Sequence, residues 1–357
     1  MTPRQQTERG VAITKERKEM HIYGVLNSNA SLRLSIPKEF LLEENETNGV
    51  YTIAYQDISA LVRVSEIVDY THMRKDVLAR LLVGHQMIIE RIMATQAAII
   101  PMRLGTFAEN EAEVREFLNK GYDLIKEIFL KVSGKIEIDI TATWSDFASI
   151  IKEAGEEKEI KKFKGKLLSN PNGINAGDQQ KIGSMLKNEL DKKRDAFACQ
   201  IQEALTVVSP DFKAHELMDD KMVVNIAFLI DKDKREDFDK KVEELNAQFN
   251  EKLNFRCVGP LPPYSFYTLE VMKLKLEEID WAKKRLGISN DITNKNELKK
   301  AYQRQALSTH PDIKPDSPCA EKEFDEVHRA YKILTEYCGA LEQADQKDNP
   351  MLVRVRE

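Results

Sequence analysis

Three short stretches hold the residues whose types and spacing could do chemistry. His310, Pro311 and Asp312 set an imidazole and a carboxylate on either side of a proline that stiffens the loop. Lys299, Lys300 and Arg304 precede them on a helical stretch and form a compact cationic patch, suited to steering toward an acidic partner surface. Asp312 offers a carboxylate to a partner Arg or Lys. A turn beside a solvated helix face would spell the same triplet. The second stretch is Gly259, Pro260, Leu261, Pro262, Pro263, Tyr264, Ser265 and Phe266. Its prolines fix φ and remove donors, so it is neither a helix nor a paired central strand throughout but a rigid, shaped segment leading into strand-like Tyr267–Val271. The third combines His85 with Pro101, Met102, Arg103, Leu104, Gly105 and Thr106. His85 lies on an apolar helix face, more often the setting of a hydrogen-bonded core histidine than of a ligand. Arg103, in a strand, is expected to pair with a carboxylate across the fold.

None of these is a catalytic set by itself. The sequence has no phosphate-cradling glycine loop, since the Gly173–Gly177 stretch lacks the lysine that would follow, and it has no nucleophile elbow or metal-binding helix motif. The expectation is a protein that is not an enzyme and holds no cofactor or metal. Cys199, Cys257, Cys319 and Cys338 are scattered without CxxC or zinc spacing and are expected to be plain thiols. A formal charge of −5 offers no electrostatic case for nucleic acid. No apolar run nears the roughly 18 residues of a membrane span, and Met1–Met20 has no signal-peptide core. These features predict a cytoplasmic protein with no nucleic-acid or membrane partner.

The elements that must position these residues fall into an α+β body followed by a helical module. Residues 1–19 are expected to be a flexible tail. Residues 20–134 form an α+β domain with strands at His21–Leu26, Val50–Tyr55 and Ile58–Val64. Its helix at Met73–Thr95 turns Leu78, Leu81, Leu82, His85, Ile89 and Ile92 inward. A strand at Ala98–Thr106 and a helix at Glu111–Val132 complete it. In residues 135–273, Ile136, Ile138, Ile140, Ala142 and Trp144 alternate with Glu137, Asp139, Thr141 and Thr143, predicting one buried and one wet face. A charged helical stretch and a long helix from Asp178 follow. The element order is then β-α-β-β-α-β, the ferredoxin-like unit with a helical insertion. Residues 274–340 are purely helical: Glu277–Leu286, a helix begun by Asn294 and Glu297, and Ala320–Tyr337. Residues 341–357 are expected to be a loose tail.

The helical module, with its His310-Pro311-Asp312 loop and Lys299-Lys300-Ala301-Tyr302 opening, resembles the J domain of DnaJ-type co-chaperones. That resemblance implies docking on a DnaK-type chaperone and stimulation of its ATP hydrolysis. The Gly/Phe-rich linker and zinc-binding repeats of fuller DnaJ chains do not follow it. His85, Pro101, Arg103, Gly105 and Thr106, together with Gly259, Pro260, Pro262, Pro263, Tyr264, Ser265 and Phe266, resemble the signatures of the gas vesicle GvpL/GvpF family. Leu104 and Leu261 stand where that family usually has Phe and Trp. The resemblance implies binding to the very hydrophobic gas vesicle shell subunit during assembly, or minor incorporation into the vesicle. Two other expectations stand beside a client-specific co-chaperone: a minor structural component of the vesicle, and a general J-domain co-chaperone with other clients.

Overall fold

A computed structural model describes residues 13–37, 49–68, 73–95, 97–169, 175–249, 252–273, 276–288, 295–310, 320–343 and 351–356. The chain divides into two compact units, residues 132–266 and residues 1–131 together with 267–357.

In the first unit, β1 (Ile13–Leu26), β2 (Arg33–Ser35), β3 (Gly49–Tyr55), β4 (Ile58–Val68) and β5 (Ile99–Pro101) form a sheet in the order β2-β3-β4-β1-β5, and β6 (Phe107–Ala108) also pairs with β1. All its pairings are antiparallel. Helix α1 (Lys75–Met93) packs on β1 and β5, and α2 (Glu111–Lys120) packs on β3 and β4. β1 begins at Ile13, inside the expected tail. The expected helix over 111–132 is two helices, α2 and α3 (Tyr122–Val132), divided at Gly121. Helix α1 turns Val77, His85, Ile88, Ile89 and Ile92 inward, whereas Leu82, expected inside, is 47% exposed. Pro101 ends β5 at the sheet edge, where the missing N–H costs no ladder bond.

The second unit has β7 (Lys135–Trp144), helices α4 (Phe147–Gly155), α5 (Lys158–Leu168) and α6 (Ala176–Thr206), then β8 (Phe212–Ala214), β9 (Met222–Asp231), α7 (Arg235–Gln248) and β10 (Leu253–Leu261). Its antiparallel sheet runs β10-β7-β9-β8. Fourth, first, third and second strands side by side is the ferredoxin-like order, with α4 and α5 inserted ahead of α6. As the alternation predicts, Ile136, Ile138, Ile140, Ala142 and Trp144 are buried. On the opposite face Glu137 is buried too, at 1% exposure, because the segment after β10 lies over it.

Residues 267–273, expected to close the ferredoxin-like domain, belong to the first unit. There β11 (Leu269–Lys273) pairs with β12 (Met351–Val355), a strand inside the expected loose tail. β12 is ordered because Met351, Leu352 and Val353 are each about 5% exposed or less. Between them run α8 (Leu276–Leu286), α9 (Lys295–Thr309) and α10 (Ala320–Gln343). Ile279, Ala282 and Leu286 pack with Leu298, Ala301, Val327, Ala330 and Leu334, and Leu352 of β12 joins this core. No described helix is long and apolar enough to cross a membrane.

Candidate functional site: two signature sites and a helical module

The first signature site is built on β1, α1 and the loop after β5. Met102 donates its N–H to the Tyr23 carbonyl at 2.9 Å and accepts from His85 Nε2 at 3.1 Å. A carbonyl only accepts, so Nε2 carries the proton and Nδ1 does not. His85 stacks on His21, with centroids 5.3 Å apart, and on Tyr23 at 5.0 Å. Burial drives the His85 imidazole down to about 4. Burial, aided by His85 and Arg63, drives His21 well below its ordinary value. Both rings are therefore neutral at pH 7. The expectation of a hydrogen-bonded core histidine describes His85 correctly.

The loop that follows turns sharply at Gly105, whose φ of +88 suits glycine. Thr106 closes it, donating its N–H and its hydroxyl to the Arg103 carbonyl at 3.2 and 2.7 Å. Arg103 thus projects outward. Its Nη1 donates to Glu270 at 3.2 Å, the cross-fold carboxylate its setting called for. Glu270 also accepts from Arg354 of β12 at 2.7 Å. The two arginines hold its carboxyl below the usual range although burial opposes them.

The second signature site caps the ferredoxin-like sheet. Gly259 has φ +150, and a Cβ there would lie 2.8 Å from the Glu137 carbonyl oxygen, so no side chain fits. The Gly259–Pro260 peptide is cis. After buried Leu261, Pro262 and Pro263 the chain turns, with Tyr264 N–H donating to the Pro262 carbonyl and Phe266 N–H to that of Pro263. The turn aims Ser265 at Glu137: its N–H donates to Oε2 at 2.9 Å and its hydroxyl to Oε1 at 2.7 Å. His215 Nε2 lies 3.1 Å from the Ser265 hydroxyl. Burial raises Glu137 to about 8 against the Ser265 bonds, and burial also raises Asp139. A serine between an imidazole and a carboxyl has the members of a hydrolytic triad in the wrong order. In a triad the acid holds the far nitrogen of the imidazole; here it accepts the hydrogen bond of the serine hydroxyl. The arrangement locks the turn to β7.

In the helical module Leu298 and Ala301 face inward, which leaves Lys299, Lys300 and Arg304 exposed on α9. The ring of His310 meets Phe324 of α10 edge-on at 5.2 Å. Pro311 and Asp312 lie outside the described residues, as does Cys319; the other three cysteines are not in disulfides. Tyr302 stacks on Tyr331 at 4.3 Å, and Arg329 lies 5.3 Å from the Trp281 ring. Among the described residues no group of three His, Cys, Asp or Glu side chains is placed to hold a metal.

The structure joins His85 to the Pro101–Thr106 loop but places Gly259–Phe266 in the other compact unit. Sequence reasoning missed Glu137, Glu270 and Arg354. The nearest signal for Glu137 was Ser265, the one small polar side chain in a run of rings.

Residues 19–268 match the family model for gas vesicle synthesis protein GvpL/GvpF, and residues 284–337 match that for the DnaJ domain. Gas vesicle protein F of Dolichospermum flosaquae is 22% identical over 257 residues, 70% of this chain and 98% of that protein. The crystal structure of GvpF from Microcystis aeruginosa superposes with a TM-score of 0.54 at 21% identity, over 70% of this chain and 98% of that one. The chaperone protein DnaJ of Halothermothrix orenii is 51% identical over 51 residues, which is 14% of this chain and 13% of DnaJ.

Proposed function

This chain belongs to the gas vesicle GvpL/GvpF family and carries a C-terminal DnaJ domain, and on that premise we propose that it is a client-specific co-chaperone of gas vesicle assembly. Its α+β units hold the hydrophobic shell subunit. Its J domain recruits a DnaK-type chaperone through Lys299, Lys300, Arg304 and the His310-Pro311-Asp312 loop. It performs no covalent chemistry of its own and works in association with gas vesicles.

The observation that carries this reading is the presence of both modules on one chain, the family body over 19–268 and the J domain over 284–337. A shell subunit with a large apolar surface aggregates in water unless it is held. Tethering its holder to a J domain raises the local concentration of client beside the chaperone. The J module is also built for display: Lys299, Lys300 and Arg304 are exposed, while Leu298 and Ala301 anchor the helix that bears them.

The test is steady-state ATP hydrolysis by the cognate DnaK-type chaperone. It is measured with this protein, with His310→Gln, and with and without shell subunit. Stimulation should vanish in the variant and rise with shell subunit. Stimulation by any unfolded protein alike would indicate a general co-chaperone. Absence of stimulation, with the protein retained on intact vesicles, would indicate a structural component.

A further inference from the structure

The first unit contains a cavity of about 600 Å³ beside the Arg103 loop, within the 300–1,000 Å³ range of ligand sites. We infer that this cavity seats an extended peptide segment, supplied by another protein, in which carboxylate and apolar side chains alternate. The segment adds as a strand to the open edge of β11. This goes beyond the proposed function, which names the client but no surface that grips it.

The backbone carries the first part of the argument. Glu270, Val271, Met272 and Lys273 all line the cavity. Successive side chains of a strand point to opposite faces, so four in a row can border one space only if the strand turns its edge to it. β12 occupies the other edge. Among the described residues the open edge is met only at its start, where Arg103 N–H donates to the Leu269 carbonyl at 2.9 Å. That bond sets the phase: Leu269, Val271 and Lys273 turn their N–H and C=O groups away from β12. Among the described residues no backbone group pairs with those of Val271 and Lys273. An extended peptide meets such an edge with main-chain hydrogen bonds.

Charge carries the second part. Arg103, Lys273, Lys332 and Arg354 line the cavity against Glu270 and Glu336, and Glu113 holds Lys273 at 2.7 Å, a formal balance of four minus three, or +1. Glu270 already accepts from both arginines. Arg103 spends one contact on it while its side chain stays 57% exposed, leaving most of its five N–H donors for a ligand. Lys332 is exposed and within one helical turn of Glu336. Leu78, Leu104 and Phe107 supply an apolar wall. A bare inorganic anion would use the cations and waste the wall and the strand edge. A carboxylate side chain with apolar neighbours uses all three.

The test uses the full chain and a fluorescein-labelled, end-blocked hexapeptide of alternating Val and Glu, followed by fluorescence anisotropy. It should bind, weaken as salt rises, and be matched neither by the Val/Lys nor by the Ser/Glu hexapeptide. Lys332→Glu, a surface change that leaves the core intact, should weaken it about tenfold. Val271→Pro, which removes an N–H from the open edge only, should weaken it comparably, with circular dichroism confirming the fold. Equal binding of the Ser/Glu peptide, or full displacement by millimolar inorganic phosphate, would reduce the site to an anion trap and overturn the proposal. So would no binding, or binding unchanged by both variants. The assay contains neither chaperone nor shell subunit, so its result is separate from that of the ATPase experiment.

Discussion

The first compact unit buries bases beside its signature loop, and the ferredoxin-like unit buries acids beside its own. His21 of β1 and His85 of α1 are stacked and neutral beside the loop that carries Arg103. Glu137 and Asp139 sit two residues apart on one face of β7, raised by burial under the Ser265 turn. In both places a buried titratable side chain fastens a proline-bearing segment through a hydrogen bond. In the first the segment's own carbonyl accepts from a ring nitrogen; in the second the segment donates twice to a carboxyl. The first arrangement leaves Arg103 free to project outward, whereas the second turns its polar groups inward. The same device therefore yields an exposed cation in one unit and a sealed turn in the other.

The two tryptophans allow the units to be followed separately, since Trp144 lies in the ferredoxin-like unit and Trp281 in the first. Urea unfolding of the Trp281→Phe and Trp144→Phe backgrounds then reports one unit each. Gly259→Ala should have the largest effect, about 3 kcal/mol, because it forces a Cβ against the β7 backbone at a φ that side chains avoid. The Trp144 transition should shift and the Trp281 transition should hold; equal shifts in both would break the comparison.

Glu270→Ala should come next, at about 2 kcal/mol on the Trp281 transition. It leaves Arg103 and Arg354 facing each other without the acid between them. The cost is held below that of a deeply buried pair by the exposure of Arg103. A change under about 0.5 kcal/mol would mean the pairing is only a surface contact.

The pH dependence sharpens the contrast through its sign. Unfolded histidine takes up a proton as pH falls through 6.5, and folded His85 does not until about 4. The first unit should therefore lose stability as pH falls between those values. Unfolded glutamate releases its proton near 4.5, while folded Glu137 keeps it to about 8. The ferredoxin-like unit should instead lose stability as pH rises through that window, by at most about 1.4 kcal/mol per pH unit. Glu137→Gln keeps an acceptor for the Ser265 N–H and removes the ionisation, so its Trp144 transition should lose that slope. A slope that survives in Glu137→Gln would assign it to another group.

Much of this arrangement was legible in the residues. Alternation over Ile136–Trp144 located β7 and its buried face, and the β-α-β-β-α-β order identified the ferredoxin-like unit. The spacing of Leu298, Ala301, Val327 and Leu334 identified the helical pair that presents Lys299, Lys300 and Arg304. Glu137 was misjudged because period two assigns a residue to a face but not what covers that face. β12 was missed because Met351–Val355 is too short to declare itself a strand without a partner, and its partner is 78 or more residues earlier.

Sequence alone determined most of the order of elements, which follows from local periodicity and from proline and glycine backbone limits, and the position of each signature, whose motif residues carry the two family resemblances. Only the tertiary structure decided that β11 leaves the ferredoxin-like unit to pair with β12, that Glu137 lies under Ser265, and that Glu270 stands between Arg103 and Arg354. Those outcomes rest on burial and on hydrogen bonds between residues up to 167 positions apart, and no local pattern encodes which distant group will remove a side chain from water.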